Sequence, residues 1–200
     1  MLLCTCTLNA LRERGDNGMH IRDLLELEAG PNASRIRSAY TEMQMYTVAD
    51  LEADLAQIEY DAPTKVAVQA ELVTSVDDLI VSLIRQEAAI VTKAHAGKVL
   101  NSNFVKCRYD SARLDPWFLC YWLNESDEVK GQNYRQSKLT AYIPSSLAKL
   151  KITLPAMNRQ KEIGRNYKAL KHLQYLMDRQ KDAWTKLTLQ ALRQNLEEET

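Results

Sequence analysis

Two short polar segments carry the residue types that read nucleic acid. Gly30-Pro31-Asn32-Ala33-Ser34-Arg35-Ile36-Arg37 sets Arg35 and Arg37 behind a tight turn, and 130–138 interleaves Lys130, Gln132, Asn133, Tyr134, Arg135, Gln136 and Lys138. Arginine pairs with guanine, and asparagine or glutamine with adenine, through two hydrogen bonds each, while lysine and serine hold phosphates. The same residues are ordinary in loops, so their types alone leave both readings open.

Other chemistries find less support. His20, His95 and His172 stand far apart with no carboxylate cluster at ligand spacing, and each is expected on the surface or in a turn. Asp50, Asp54 and Glu59 resemble a nuclease carboxylate set only in spacing. They fall on an amphipathic stretch whose acidic face is expected to be solvated. Cys4-Thr5-Cys6 is tighter than a zinc-knuckle pair and has no second pair at finger spacing, so Cys4, Cys6, Cys107 and Cys120 are expected as reduced thiols. Asp115-Pro116-Trp117-Phe118 resembles the Asp/Asn-Pro-Pro-Tyr/Phe turn of amino-methyltransferases, but the second proline is missing. Six glycines form neither G-x-G-x-x-G nor a P-loop. No cofactor, metal or catalytic residue is expected.

The elements that must position these loops follow from pattern. The 200 residues suit one domain with an appendage, and no run reaches the ~18 apolar residues of a membrane span. Residues 1–18 read as a loose leader without a secretory pattern, and the chain as cytoplasmic. Thr47 stands before Asp50 at capping-box spacing, opening a helix over 47–58 with Val48, Leu51, Leu55 and Ile58 on one face. Strands are expected at Lys65–Gln69, Leu79–Ile84, Ala88–Val91, Val99–Leu100 and Asn103–Arg108. Asp115 as N-cap and Pro116 at the first helical position start an apolar helix through Leu123. Residues 130–142 read as a polar, basic loop.

From Met157 to Leu196 one long amphipathic helix is expected. Ile163, Leu170, Leu173, Met177, Trp184, Leu187 and Ala191 recur at heptad spacing, with Gln180 as a polar break in the seam. At ~1.5 Å per residue such a rod outruns a small domain and needs a partner helix. The alternative, a hairpin of two shorter helices, lacks the Gly, Pro or Asn turn it would want.

Charge is partitioned along the chain although its net value is zero. Residues 19–84 carry four Lys/Arg against twelve acids, while 85–151 carry eleven against six and 152–200 nine against six. That asymmetry suits one face toward an anion, or charges that cancel in space.

Four segments in order resemble the specificity subunit of type I restriction–modification enzymes. The first is Ile21–Arg35, ending in the glycine turn and an arginine. The second is Asp77-Asp78-Leu79-Ile80-Val81-Ser82-Leu83, followed by Ala89-Ile90-Val91 and Leu100-Asn101-Ser102-Asn103-Phe104-Val105. The third is Leu114–Asn124. The fourth is Ser146–Pro155 with Gln160-Lys161-Glu162-Ile163 before the long helix. The resemblance covers roughly residues 20–190. It implies an α+β fold: one mixed α/β target-recognition domain (19–155), then a long helix (156–197) that pairs as a coiled coil.

It further implies a non-catalytic protein that reads a half-site in double-stranded DNA and directs a methyltransferase or endonuclease partner. Loops 30–37, 93–106 and 130–138 would make the contacts. The expected DNA-binding residues are Arg35, Arg37, Lys93, Lys98, Asn101, Asn103, Lys106, Lys130, Gln132, Asn133, Tyr134, Arg135, Gln136 and Lys138. The helix residues Ile163, Leu170, Leu173, Met177, Gln180, Trp184 and Leu187 would face the partner. The chain has one recognition domain and one helix, half the family pattern, so an antiparallel homodimer is expected to rebuild a two-headed reader. The rival reading is a helix-mediated interaction protein without DNA readout.

Overall fold

A computed structural model of the chain describes residues 18–32, 44–58, 72–136 and 143–198. Predictions for the leader, the Lys65–Gln69 strand, Arg35, Arg37 and Lys138 lie outside the described residues. The strands are β1 (Met19–His20), β2 (Leu25–Ala29), β3 (Leu79–Ser82), β4 (Glu87–Ile90), β5 (Phe104–Tyr109) and β6 (Lys151–Ile152). The helices are α1 (Val48–Leu55), α2 (Pro116–Glu125), α3 (Asp127–Gln136), α4 (Pro144–Ala148) and α5 (Met157–Glu198). The α+β class is the one expected.

An antiparallel sheet in the order β2-β5-β3-β4 forms the middle of the domain. β3 is buried along its whole length, which is why Leu79-Ile80-Val81 reads as a continuous apolar run rather than an alternation. One end of the sheet gathers the close of β2, the β3–β4 hairpin and the start of β5. The other gathers Leu25, Tyr109 and the entry to β3, by the registers Leu25↔Tyr109, Ala29↔Val105, Ser82↔Phe104 and Leu79↔Ile90. β1 and β6 pair separately, Met19↔Ile152 and His20↔Lys151.

The helix starts follow the caps. Thr47 Oγ1 accepts from the Asp50 amide while Asp50 accepts from the Thr47 amide, a closed capping box. Asp115 Oδ1 accepts from the Phe118 amide at 2.8 Å with Pro116 at the first helical position. α2 packs on β4 and against the first turns of α5. Its buried residues Phe118, Leu119, Trp122 and Leu123 join the sheet core.

Two elements depart from expectation. Val99–Leu100, expected as a strand, makes only isolated bridges from Val99 to Met45 and Val73. Residues 127–136, read as part of a loop, form the helix α3. Ser126 Oγ accepts from the Val129 amide at 3.2 Å, Asp127 and Glu128 occupy the first turn, and Glu128 accepts from Trp122 Nε1 at 2.8 Å. A serine cap followed by acids is a helix start, and the basic, amide-rich tail of the segment masked it.

Candidate nucleic-acid interface

The glycine turn and the Asn101–Asn103 segment meet at the hairpin end of the sheet. The Gly30 amide donates to the Phe104 carbonyl at 3.1 Å. A Cβ on Gly30 would overlap the Asn101 carbonyl and lie 2.9 Å from its Cα, so no other residue fits that approach without backbone movement. Asn101 Oδ1 accepts from the Asn103 amide at 2.9 Å, and the Asn103 carbonyl accepts from the Leu83 amide at 2.8 Å. Gln86, at φ 58°, closes the neighbouring hairpin with its amide on the Ser82 carbonyl. The exposed Asn103 side chain and the root of the 30–37 segment therefore share one rim.

The remaining expected contacts are dispersed. Lys93 is exposed on a 3-10 turn beyond the opposite end of β4. Lys130 is exposed and Asn133 half-buried on α3, whose backbone also carries Tyr134, Arg135 and Gln136. Three expected contacts are used inside the domain instead. Lys98 Nζ binds Asp50 at 2.8 Å, and Lys106, 8% exposed, binds Asp78 Oδ2 at 2.5 Å and the Val73 carbonyl. Gln132 grips the Lys151 backbone with both ends of its amide, Nε2 to O at 2.6 Å and Oε1 from N at 2.7 Å. The reason is common to the three. Each meets a carboxylate or peptide group at the edge of the core, where an internal hydrogen bond offsets the cost of taking both polar groups out of water.

Asp54 departs from expectation: it is fully buried rather than solvated. His95 lies in a turn, one of its two expected placements, yet is only 5% exposed. Asp54 accepts from Tyr46 Oη at 2.7 Å, the Thr92 amide at 2.9 Å, Thr92 Oγ1 at 2.7 Å and His95 Nδ1 at 2.7 Å. An ionised carboxylate can only accept, which assigns a proton to His95 Nδ1. His95 Nε2 lies 3.4 Å from Asp50. Burial tends to raise the Asp50 pKa, but the Lys98 ammonium and the Thr47 amide and hydroxyl hold it below the ordinary value. Burial, reinforced by Asp54, pushes the Tyr46 phenol far up. This network fastens α1 to the 92–98 loop. Its signal in the sequence is faint, because helix periodicity reports the apolar face of α1 and not what stands against the other.

Sequence reasoning also missed the anchor of the long helix. Gln160, 2% exposed, donates through Nε2 to the Pro155 and Arg113 carbonyls at 2.9 and 3.3 Å and accepts from the Asp115 amide at 3.0 Å. Gly164 lies against the capped start of α2: a Cβ there would collide with Asp115 Oδ1 and stand 2.8 Å from the Phe118 amide nitrogen. Tyr167 accepts from Asn124 Nδ2 at 3.0 Å and donates to Glu125 at 3.3 Å, and Lys171 binds Glu125 at 2.9 Å. His172 Nδ1 reaches the carbonyl of Ala56, the residue that caps the end of α1, at 3.0 Å.

Past this anchor α5 continues unbroken to Glu198, as one helix rather than a hairpin. Ile163 departs from the expected partner face and packs on the domain core. Leu170, Leu173, Met177, Gln180, Trp184 and Leu187 are all exposed, Trp184 by 64%, and Leu176 and Leu192 extend the stripe. Among the described residues, nothing covers this row.

The arrangement overlays on solved structures. The HsdS subunit from Thermoanaerobacter tengcongensis matches 80% of this chain at TM-score 0.52 with 14% identity. A chain from a structure of complex assembly and conformational transition in the type I R-M system matches 87% at TM-score 0.53 with 13% identity. The fold is that of a type I restriction–modification specificity subunit. This chain spans 38% and 42% of those two chains. No protein-family model matches it, and no curated protein matches it by sequence. The mixed domain and long helix expected from the four segments are thus found in the fold. Among the described residues, no His/Cys/Asp/Glu group could hold a metal ion, and no helix is long and apolar enough to cross a membrane.

Proposed function

We propose that this chain is a non-catalytic DNA-specificity protein. Its domain of residues 19–155 reads a half-site of duplex DNA, and α5 spaces it from a second reader while offering a face to a methyltransferase or endonuclease partner. The observation that supports this reading is the overlay of domain and helix together on a specificity subunit. The contacts proposed are the rim built from Gly30–Asn32 and Asn101–Asn103, with Arg35 and Arg37 on the chain that leaves it, and Lys130, Asn133, Tyr134, Arg135, Gln136 and Lys138 along and beyond α3. Lys93 joins as a phosphate contact. Lys98, Lys106 and Gln132 are left out because their polar groups are held internally.

Selection of bound duplexes from a random pool tests it. Enrichment of a defined sequence is expected, each correct bidentate contact contributing about 1–3 kcal/mol. Charge reversal at Arg35, Arg135 and Lys138 should abolish it. No enrichment, with or without the methyltransferase, would refute the reading. A mass measurement in solution tests the homodimer through the exposed stripe.

The exposed row from Leu170 to Leu192 also favours a second reading, in which the chain pairs through α5 alone and binds no DNA. Partner capture that survives the triple charge reversal, with no DNA binding by the unaltered chain, would select it.

A further inference from the structure

The long helix carries a second row, distinct from its apolar one. Arg165, His172, Arg179, Lys186 and Arg193 stand at intervals of seven residues, every one basic and every one exposed. Lys161 and Lys168, also exposed, sit one turn away on the same side. At 3.6 residues per turn these side chains occupy an arc of roughly 80°, and from Arg165 to Arg193 the row runs about 42 Å along the axis. Asp182 is the carboxylate at its edge, and none interrupts it. Arg179 lies over the Tyr175 ring, 5.8 Å from its centroid, which holds its guanidinium on this side.

The row lies roughly 160° around the helix from the Leu170–Met177–Trp184 line and roughly 100° from the Leu173–Leu187 line. In a coiled coil, charges that pair across the interface flank the apolar seam. These are turned away from it, on a face with no continuous apolar row for a second protein helix to bury. A phosphate backbone needs no such row: it asks for cations at intervals, and duplex DNA carries about one charge per 1.7 Å of axis.

We infer that this basic row is a track for the phosphate backbone of duplex DNA, extending contact along α5 beyond the domain. The inference rests on the DNA-specificity reading above and adds a sequence-independent surface to it. In an antiparallel two-fold pair the axis stands perpendicular to both helices, so the rows of both copies fall on one side of the pair.

The test measures affinity of the full chain for a duplex of about 40 base pairs across a salt series. The variants are R165Q/R179Q/K186Q/R193Q and the charge-keeping R165K/R179K/R193K; His172 is spared because it contacts Ala56. The Gln variant should lose about 3–4 from the slope of log affinity against log salt, at about 0.9 per phosphate contact. The Lys variant should keep the slope, and both should keep the helical circular dichroism of the unaltered chain. An unchanged slope in the Gln variant overturns the track, even if selection still yields a preferred sequence. Loss of slope without any preferred sequence keeps the track and removes the half-site reading. No DNA binding by the unaltered chain removes both. Competition by an acidic helical peptide as effective as DNA would assign the row to a protein and overturn the proposal.

Discussion

Gly164→Ala should destabilise this protein, although alanine in place of glycine inside a helix ordinarily does the reverse. In an exposed helix interior the exchange gains about 0.8–1 kcal/mol. At position 164 the new Cβ would meet Asp115 Oδ1, the Phe118 amide nitrogen at 2.8 Å and Trp117 Cβ at 2.9 Å. Two of those atoms form the N-cap hydrogen bond of α2, worth about 1 kcal/mol. Forcing the helices apart adds roughly 1–3 kcal/mol of overpacking. The net is a loss of about 1–3 kcal/mol, or a fall in Tm of about 2–12 °C at this chain length. Gly131 supplies the opposite control. It lies inside α3, and a Cβ there would meet nothing within 4 Å, so Gly131→Ala should raise Tm by about 2–4 °C. Thermal unfolding followed by far-ultraviolet circular dichroism reads both. Equal shifts of the same sign would refute the close approach of α5 to the start of α2.

Asp54→Ala should cost about 3–5 kcal/mol by urea denaturation, because it leaves the Tyr46 hydroxyl, the Thr92 amide and hydroxyl and the His95 ring without their acceptor; a loss under 1 kcal/mol would contradict the network. Asp50, whose folded pKa is lowered, contributes stability that is present above the ordinary carboxylate range and lost as pH falls through that range toward the folded value. Lys98→Met should therefore be less stable than the unaltered chain at neutral pH, the gap closing as pH falls through and below the ordinary carboxylate range. A gap constant over that window would show that Lys98 acts through packing alone.

Local chemistry was legible wherever a side chain answers its own backbone. Thr47 and Asp50 announce α1, Asp115-Pro116 announces α2, and a proline-free stretch with heptad spacing announces α5; each signal acts over four to seven residues and needs no tertiary partner. The same rule covers Ser126-Asp127-Glu128, whose cap signal was present and outweighed by the polar residues after it.

What the sequence could not determine is which polar groups end up facing one another. Asp54, separated from Thr92 by 38 positions and from His95 by 41, becomes a buried hub only because β4 and the 92–98 loop fold onto α1. Lys98, Lys106 and Gln132 have the chemistry of DNA contacts and spend it on Asp50, Asp78 and the Lys151 backbone. Long-range apposition decides burial, and burial decides whether a charge must be paired inside or is left to meet a ligand. The apolar stripe and the basic row of α5 stand at the other limit. The helix leaves the domain after its anchor, so helical spacing alone sets both faces, while the anchor through Gln160, Gly164 and Tyr167 was decided by the tertiary structure.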